Sequence, residues 1–180
     1  SGGGIDYARL EEAVALAVHF LDNVIEINRH PLRRIEEWTR TNRKIGLGVM
    51  GFADALIMMG ISYQSEQALV LAEKIMARIH EAAADASARL AEKRGNFPSF
   101  AHSVFPAAGV KHRRNAAVTT IAPTGTISLI AGVSSGIEPV FAFHLNRHVV
   151  DEVIEEIHPL YRQYHEKGQP PPADIFQTAW

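Results

Sequence analysis

The chain has no cysteine. This excludes a disulfide framework, a thiolate metal site and cysteine catalysis by the chain's own residues. It also suits a cytoplasmic protein. Neither sign of charge dominates: 18 Lys and Arg stand against 20 Asp and Glu, for a formal net charge of −2. Nothing therefore marks nucleic acid or an anionic membrane as a partner. No apolar run reaches the roughly 20 residues of a membrane span. The opening Ser1-Gly2-Gly3-Gly4 lacks the basic and apolar regions of a signal peptide, and reads as a flexible lead-in or a cloning scar. What is present is 180 residues, 47% of them hydrophobic, enough for a domain with a buried core. The expected organisation is a lead-in over 1–4, a single domain over 5–168, and a Pro-rich linker with an apolar tail over 169–180.

Helical punctuation is clear along most of the chain. Asp6 is placed to cap a first helix running to about Asn28, with Leu10, Val14, Ala17, Leu21 and Val24 as its apolar stripe, widened by Ala13, Phe20 and Ile25. Arg29-His30-Pro31 breaks it. A short helix follows from about Leu32 to Thr41, using Ile35 and Trp38 as contacts. Phe52–Met59 reads as another, ended by Gly60. Ser65 caps the longest, whose apolar face is Leu71, Ile75, Ile79, Ala83, Ala86 and Leu90, and Gly95 stops it. Asn96 to Gly109 is a loop anchored by Phe97, Phe100 and Phe105. Asp151 to Lys167 is expected to be a last helix, restarted near Pro159, and Val140–Phe143 a strand. The tail Ile175, Phe176 and Trp180 is apolar enough to dock.

Several patterns invite a chemical reading. Gly46, Gly48 and Gly51 match the G-x-G-x-x-G spacing of a nicotinamide or flavin dinucleotide loop. That fingerprint requires an apolar strand before its first glycine, and Asn42-Arg43-Lys44 stands there instead. The rival is a packed strand whose glycines admit a close neighbour. Lys111 to Arg114 is a basic run, read first as a solvated turn and second as a source of phosphate neutralisation. His19 is a packed or surface histidine. His144 and His148 have a spacing that would suit a metal on a helix, but no third ligand is evident, and no metal site is expected. A non-catalytic helical assembly module remains a further alternative.

The most informative stretch runs from Asn115 to Phe141. Ala116–Ile121 is a β-branched, apolar strand candidate, which Pro123 halts because it has no N–H for a ladder. Thr124, Gly125, Thr126, Ile127 and Ser128 then open a short helix that Gly132 ends. Such a turn leaves unpaired N–H groups facing one point, where an anion, and phosphate above all, is favoured. Gly125 allows close approach because it carries no Cβ. Ser134-Ser135-Gly136 forms a second small-residue loop ahead of Ile137, Glu138 and Pro139.

These residues resemble the ribonucleotide reductases, most closely the adenosylcobalamin-dependent class. The matching segments are Arg114-Asn115, Ile121-Ala122-Pro123-Thr124-Gly125-Thr126-Ile127-Ser128 and Ser134-Ser135-Gly136-Ile137-Glu138-Pro139. Phe20-Leu21-Asp22-Asn23-Val24-Ile25, the run from Arg43 to Gly51, and Gly95-Asn96-Phe97-Pro98 also match. The resemblance runs from about Ile5 to about Tyr164, in the family's order. It implies a helix-rich α/β fold, a partial version of the family's ten-stranded barrel, with a few mostly parallel strands. It makes Ala122, Pro123, Thr124, Gly125, Thr126, Ile127 and Ser128 the substrate-phosphate loop. It places Ser135, Gly136, Ile137 and Glu138 near the mouth of the active site; Glu138 could be an acid, and the preferred role is tying down main chain, as a carboxylate in a tight loop commonly does. The family's radical cysteine, in an Asn-Pro-Cys-Gly-Glu loop, and its reducing cysteine pair are absent here. The resemblance thus implies a catalytically inert segment with no catalytic residue or cofactor of its own. Adenosylcobalamin would serve the parent enzyme. The implied partners are a ribonucleotide, the rest of the barrel and, through open strand edges, further copies of the chain.

Overall fold

A computed structural model describes residues 4–149, 152–168 and 170–178. Its regular elements are helices α1 Tyr7–Ile27, α2 Arg33–Asn42, α3 Phe52–Met59, α4 Glu66–Arg94, α5 Gly125–Ala131 and α6 Pro159–Glu166, with strands β1 His144–Val149 and β2 Glu152–Ile157 between α5 and α6. The chain divides into two compact units. The first is formed by 5–48 and 73–121, the second by 49–72 and 122 onward.

The helix ends follow local chemistry. The Asp6 carboxylate accepts from the Arg9 N–H at 3.0 Å and caps α1, and Ser65 Oγ accepts from the Ala68 N–H at 3.2 Å at the start of α4. Gly60 and Gly132, both left-handed, close α3 and α5, as the C-cap preference of glycine predicts. Gly95, at φ +83°, follows α4.

In the first unit, α1 buries Val14, Val18, Asp22 and Ile25. The apolar stripe is therefore narrower than expected and turned, for Ala13 is exposed and Phe20 is 65% exposed. A polar residue, Asp22, takes a place on the buried face, and the helix rotates to suit it. Helix α2 buries nothing fully, and its Ile35 and Trp38 are exposed rather than packed. Along α4, Ile75, Ile79, Ala83 and Ala86 are buried, with Ser87 beside them. Phe97 is buried in edge-on contact with Phe100 and Phe105.

The apolar segments 45–47 and 116–120 run parallel. Ile45 N–H donates to Ala117 O at 3.0 Å, Leu47 N–H to Val118 O at 2.9 Å and Thr120 N–H to Leu47 O at 2.9 Å. They form a bridge at Leu47 and Thr119 rather than a full strand pair.

The second unit holds two apolar clusters. One gathers Leu56, Ile61 and Ala68. The other gathers Ala53, Val140, Phe143 and Phe176. Phe176 brings the tail into this core, its ring centroid 5.1 Å from both Phe143 and Tyr164. Of the expected lead-in and tail, residues 1–3, 169 and 179–180 lie outside the described residues.

Three expectations need correction. The last helix does not span 151–167: residue 151 lies outside the described residues, 152–157 is strand β2, and the helix is confined to Pro159–Glu166. Two causes are plain. Val153, Ile154 and Ile157 favour a strand, and Pro159 disfavours helical backbone at the residue before it while suiting a helix's first position. Second, Val140–Phe143 is not a strand; Val140 makes only a bridge to Thr178. Third, the strands are not mostly parallel. Among the described residues the one sheet is the antiparallel hairpin β1–β2, with His144 opposite Ile157 and Val149 opposite Glu152. His144 and His148 therefore lie on a strand, four residues or ~13 Å apart, and their helical spacing does not arise.

Candidate phosphate turn and its serine loop

Pro123 leads into Thr124, which sits at φ +56°. This left-handed residue is the N-cap of α5. The N–H groups of Gly125, Thr126 and Ile127 meet no acceptor among the described residues, the ordinary condition of a helix's first turn. All three residues are exposed, while Ala122 and Thr124 are partly covered. A Cβ built on Gly125 meets nothing within 4 Å, so the turn is open above that residue. Ser128 is buried and its hydroxyl donates to Gly125 O at 3.0 Å.

The serine loop lies against this turn. Gly136 N–H donates to Thr124 Oγ1 at 2.7 Å, and the hydroxyls of Ser135 and Ser128 are 3.0 Å apart. Gly136 stands at φ +49°, and a Cβ there would fall 2.9 Å from Ala122 O. Only glycine permits that approach. Tyr63 donates its hydroxyl to Ile137 O at 2.8 Å. Burial, and secondarily the charge of Glu138, push the Tyr63 phenol above its ordinary value. Glu138 itself is exposed. Its backbone N–H closes the turn on Ser135 O at 2.9 Å, and its carboxylate accepts no backbone N–H among the described residues. The expected tie to main chain comes from Asp54 instead.

Asp54, on α3, accepts the Ser134 N–H at 2.5 Å and faces His158 Nε2 at 2.8 Å. The imidazole lies off the line of a well-aligned hydrogen bond to Oδ1, so this is a charge contact, strongest when His158 is protonated. Burial works to raise the Asp54 carboxyl. His158 and the Ser134 N–H outweigh it, and the carboxyl is held below its usual range. Neither residue belongs to the motifs read from the sequence. The available signal was a lone carboxylate among the apolar residues of α3, which calls for a partner once buried.

A cavity of about 280 Å³ opens beside this loop, walled by Ser128, Ser134, Ser135, Val140, Phe141 and His158 among others. It takes in Ser128 and Ser135 of the anticipated site but none of Ala122–Ile127 or Gly136–Glu138. The cavity is thus distinct from the exposed residues Gly125–Ile127.

In the first unit, two of the four residues in the basic run are interior. Arg113 is buried under the Phe105 ring, and its Nε donates to Asn115 O. Arg114 reaches Asp22 Oδ2 at 3.4 Å and Glu26 Oε1 at 3.3 Å. The solvated-turn expectation therefore holds for Lys111 and His112 only. The same carboxylate, Asp22, accepts Arg43 Nη2 at 2.8 Å, Arg94 Nη1 at 3.0 Å and Asn115 Nδ2 at 3.0 Å. Exposed His19 approaches Arg94 Nη2 at 3.0 Å. As for the glycine motif, a Cβ on Gly46 would sit 2.8 Å from Thr120 Cγ2. Gly46 thus admits its neighbour in the parallel ladder, which is what the rival to the dinucleotide reading required.

Among the described residues no cluster of three potential metal ligands occurs, and no helix is long and apolar enough to cross a membrane.

The model of the ribonucleotide reductase barrel domain matches residues 2–113 and 108–172. A vitamin B12-dependent ribonucleoside-diphosphate reductase of Mycobacterium tuberculosis is 52% identical over 159 residues, covering 88% of this chain and 23% of that protein. The protein of the same description from Thermoplasma acidophilum is 50% identical over 163 residues, covering 90% of the chain and 21% of the relative. A ribonucleoside-diphosphate reductase subunit alpha of Chlamydia trachomatis is 34% identical and covers 78% of the chain. The chain thus spans about a quarter or less of the length of these relatives. The dinucleotide and assembly-module readings gain nothing from these matches. With the family model covering most of its length, this chain belongs to the ribonucleotide reductase barrel-domain family.

Proposed function

We propose that the chain is the substrate-phosphate portion of a vitamin B12-dependent ribonucleoside-diphosphate reductase, and that Ala122–Ser128 receives the diphosphate of a ribonucleotide. The observation that carries this is the set of three unpaired N–H groups at Gly125, Thr126 and Ile127, in a segment where the chain is about half identical to reductases of that description. N–H groups at a helix start attract an anion, and Gly125 leaves the approach clear. Ser135–Glu138 borders the same turn and would close the site's mouth. The chain by itself is inert in reduction, because it has no thiol to carry the radical. It contributes binding and orientation, which are a real part of rate.

The cobalamin serves the parent enzyme by generating the radical. This chain's described residues do not fit it: the 280 Å³ cavity falls below the roughly 300–1,000 Å³ of drug-sized ligand sites, and a corrinoid is larger still. The remainder of the barrel supplies that site, and it covers the exposed apolar residues Ile127, Leu129 and Ile130 on α5. In this reading the chain is a partial barrel.

Calorimetric titration with a ribonucleoside diphosphate tests the assignment. Wild type binds, and Gly125→Val abolishes binding with little change in melting temperature, because a Cβ at this position meets no protein atom within 4 Å. Equal affinity in the two proteins overturns the assignment.

A further inference from the structure

We propose that Asp54 and His158 are positioning residues for this site. Together they fix Ser134, and through it the Ser135–Gly136 segment that braces the phosphate turn. The functional part of this inference rests on the phosphate reading; the geometry stands apart from it.

The start of α3 holds Ser134 at three atoms. The Asp54 carboxylate accepts its N–H at 2.5 Å, the Asp54 N–H points to its Oγ at 3.4 Å, and the Gly51 N–H donates to its carbonyl at 2.8 Å. The two residues that follow make the contacts to the turn, Ser135 with Ser128 and Gly136 with Thr124. Asp54 is therefore within two residues of both braces. A shift of Ser134 by a fraction of an ångström would move the Gly136 N–H, in a place so close to Ala122 O that a Cβ on Gly136 would fall 2.9 Å from it.

His158 completes the clamp from the other side of the carboxylate. Its Nε2 lies 2.8 Å from Asp54 Oδ1, an atom with no other partner. Its own place is set by an edge-on contact with the Phe143 ring and by its N–H, which donates to Phe143 O at 2.8 Å. Pro159, next in the chain, keeps it out of the helix. The carboxylate thus receives the loop at one oxygen and the His158 imidazole at the other.

Amide exchange on the ¹⁵N-labelled chain tests this. In Asp54→Asn, the Ser134 and Gly136 amides exchange about tenfold faster or more, as loss of a charge-assisted bond predicts. Phe97, whose N–H donates to Arg113 O in the first unit, serves as the reference and keeps its rate. His158→Phe preserves the ring and speeds the same two amides. His158→Lys, which keeps a positive charge near Oδ1, restores part of the protection. Unchanged exchange at Ser134 and Gly136, or an equal rise at Phe97, overturns the proposal, and the His158 pair decides the matter if Asp54→Asn does not fold. Ribonucleoside diphosphate affinity then falls about tenfold in Asp54→Asn, by the same lost bond. A wild-type chain that ignores the nucleotide overturns the phosphate reading alone, and the exchange data still judge the clamp.

Discussion

Replacing Asp22 by alanine is the most searching perturbation of this fold. The residue is fully buried and its carboxylate receives Arg43, Arg94, Arg114 and Asn115. Arg43 is itself 4% exposed. Removing the Asp22 side chain leaves that guanidinium the residue 22 carbonyl, at 3.2 Å, and one carboxylate, Glu26, with 44% side-chain exposure, at 2.6 Å. Breaking one side of a buried ion pair typically costs about 3–5 kcal/mol, because the orphaned charge stays desolvated. For a chain of this length each kcal/mol is worth roughly 2–4 °C, so the melting temperature falls by roughly 6–20 °C. The exposed Arg33–Glu37 pair, at a similar 2.7 Å, is the control. Arg33→Ala changes stability by no more than about 0.5 kcal/mol. The pH dependence carries a sign. Burial pushes the Asp22 carboxyl up, and the bonds from Arg43 and Asn115 and the charges of Arg43 and Arg114 more than reverse this, so it lies below its ordinary value. Its contribution is therefore complete above the unfolded carboxyl value, about 3.9, and is lost as pH falls through the folded one. Urea unfolding followed by circular dichroism, at neutral pH and in steps below pH 4, gives both quantities. A loss under about 1 kcal/mol, or an acid limb as steep in the variant as in wild type, refutes the reasoning.

Two further outcomes follow from the packing. Gly46→Ala places a Cβ 2.8 Å from Thr120 Cγ2 and costs about 1–3 kcal/mol as overpacking; Thr120→Ser removes that methyl and recovers most of the loss in a double-mutant cycle measured by thermal melting. The isolated chain self-associates through exposed apolar residues of α5, including Ile130 at 82% exposure, so Ile130→Glu shifts its light-scattering mass toward the monomer. A wild-type chain that is already a clean monomer removes the basis for that outcome.

The helices were legible because their ends are local events. Asp6, Gly60, Ser65, Gly95 and Gly132 each act within a few residues of where they sit, so a linear reading finds them. The turn into α5 was legible for the same reason, as a proline, a threonine and a glycine in a row. The clusters around Asp22 and Asp54 were not. Asp22 meets Asn115 across 93 positions and Asp54 meets Ser134 across 80, and no periodicity carries that distance. A hint existed for Asp22, since spacing from Val14 and Val18 places it on the buried face of α1. A carboxylate there implies a cation, without saying which. That same demand turned α1 and left Phe20 outside. The hairpin was hidden by a different cause: 152–157 mixes glutamates with β-branched residues, so its charge suggests a helix while its branching favours a strand.

Thr124 has a consequence beyond the turn it makes. A threonine in left-handed backbone costs of order 1 kcal/mol, and here the same side chain anchors the neighbouring loop through Gly136. Glycine at 124 would relieve the backbone but cut the anchor, while valine would keep the bulk and offer neither relief nor an acceptor. Sequence drift at this position is hemmed in from two directions. Asparagine, tolerant of this backbone and furnished with an acceptor oxygen, is the natural substitute.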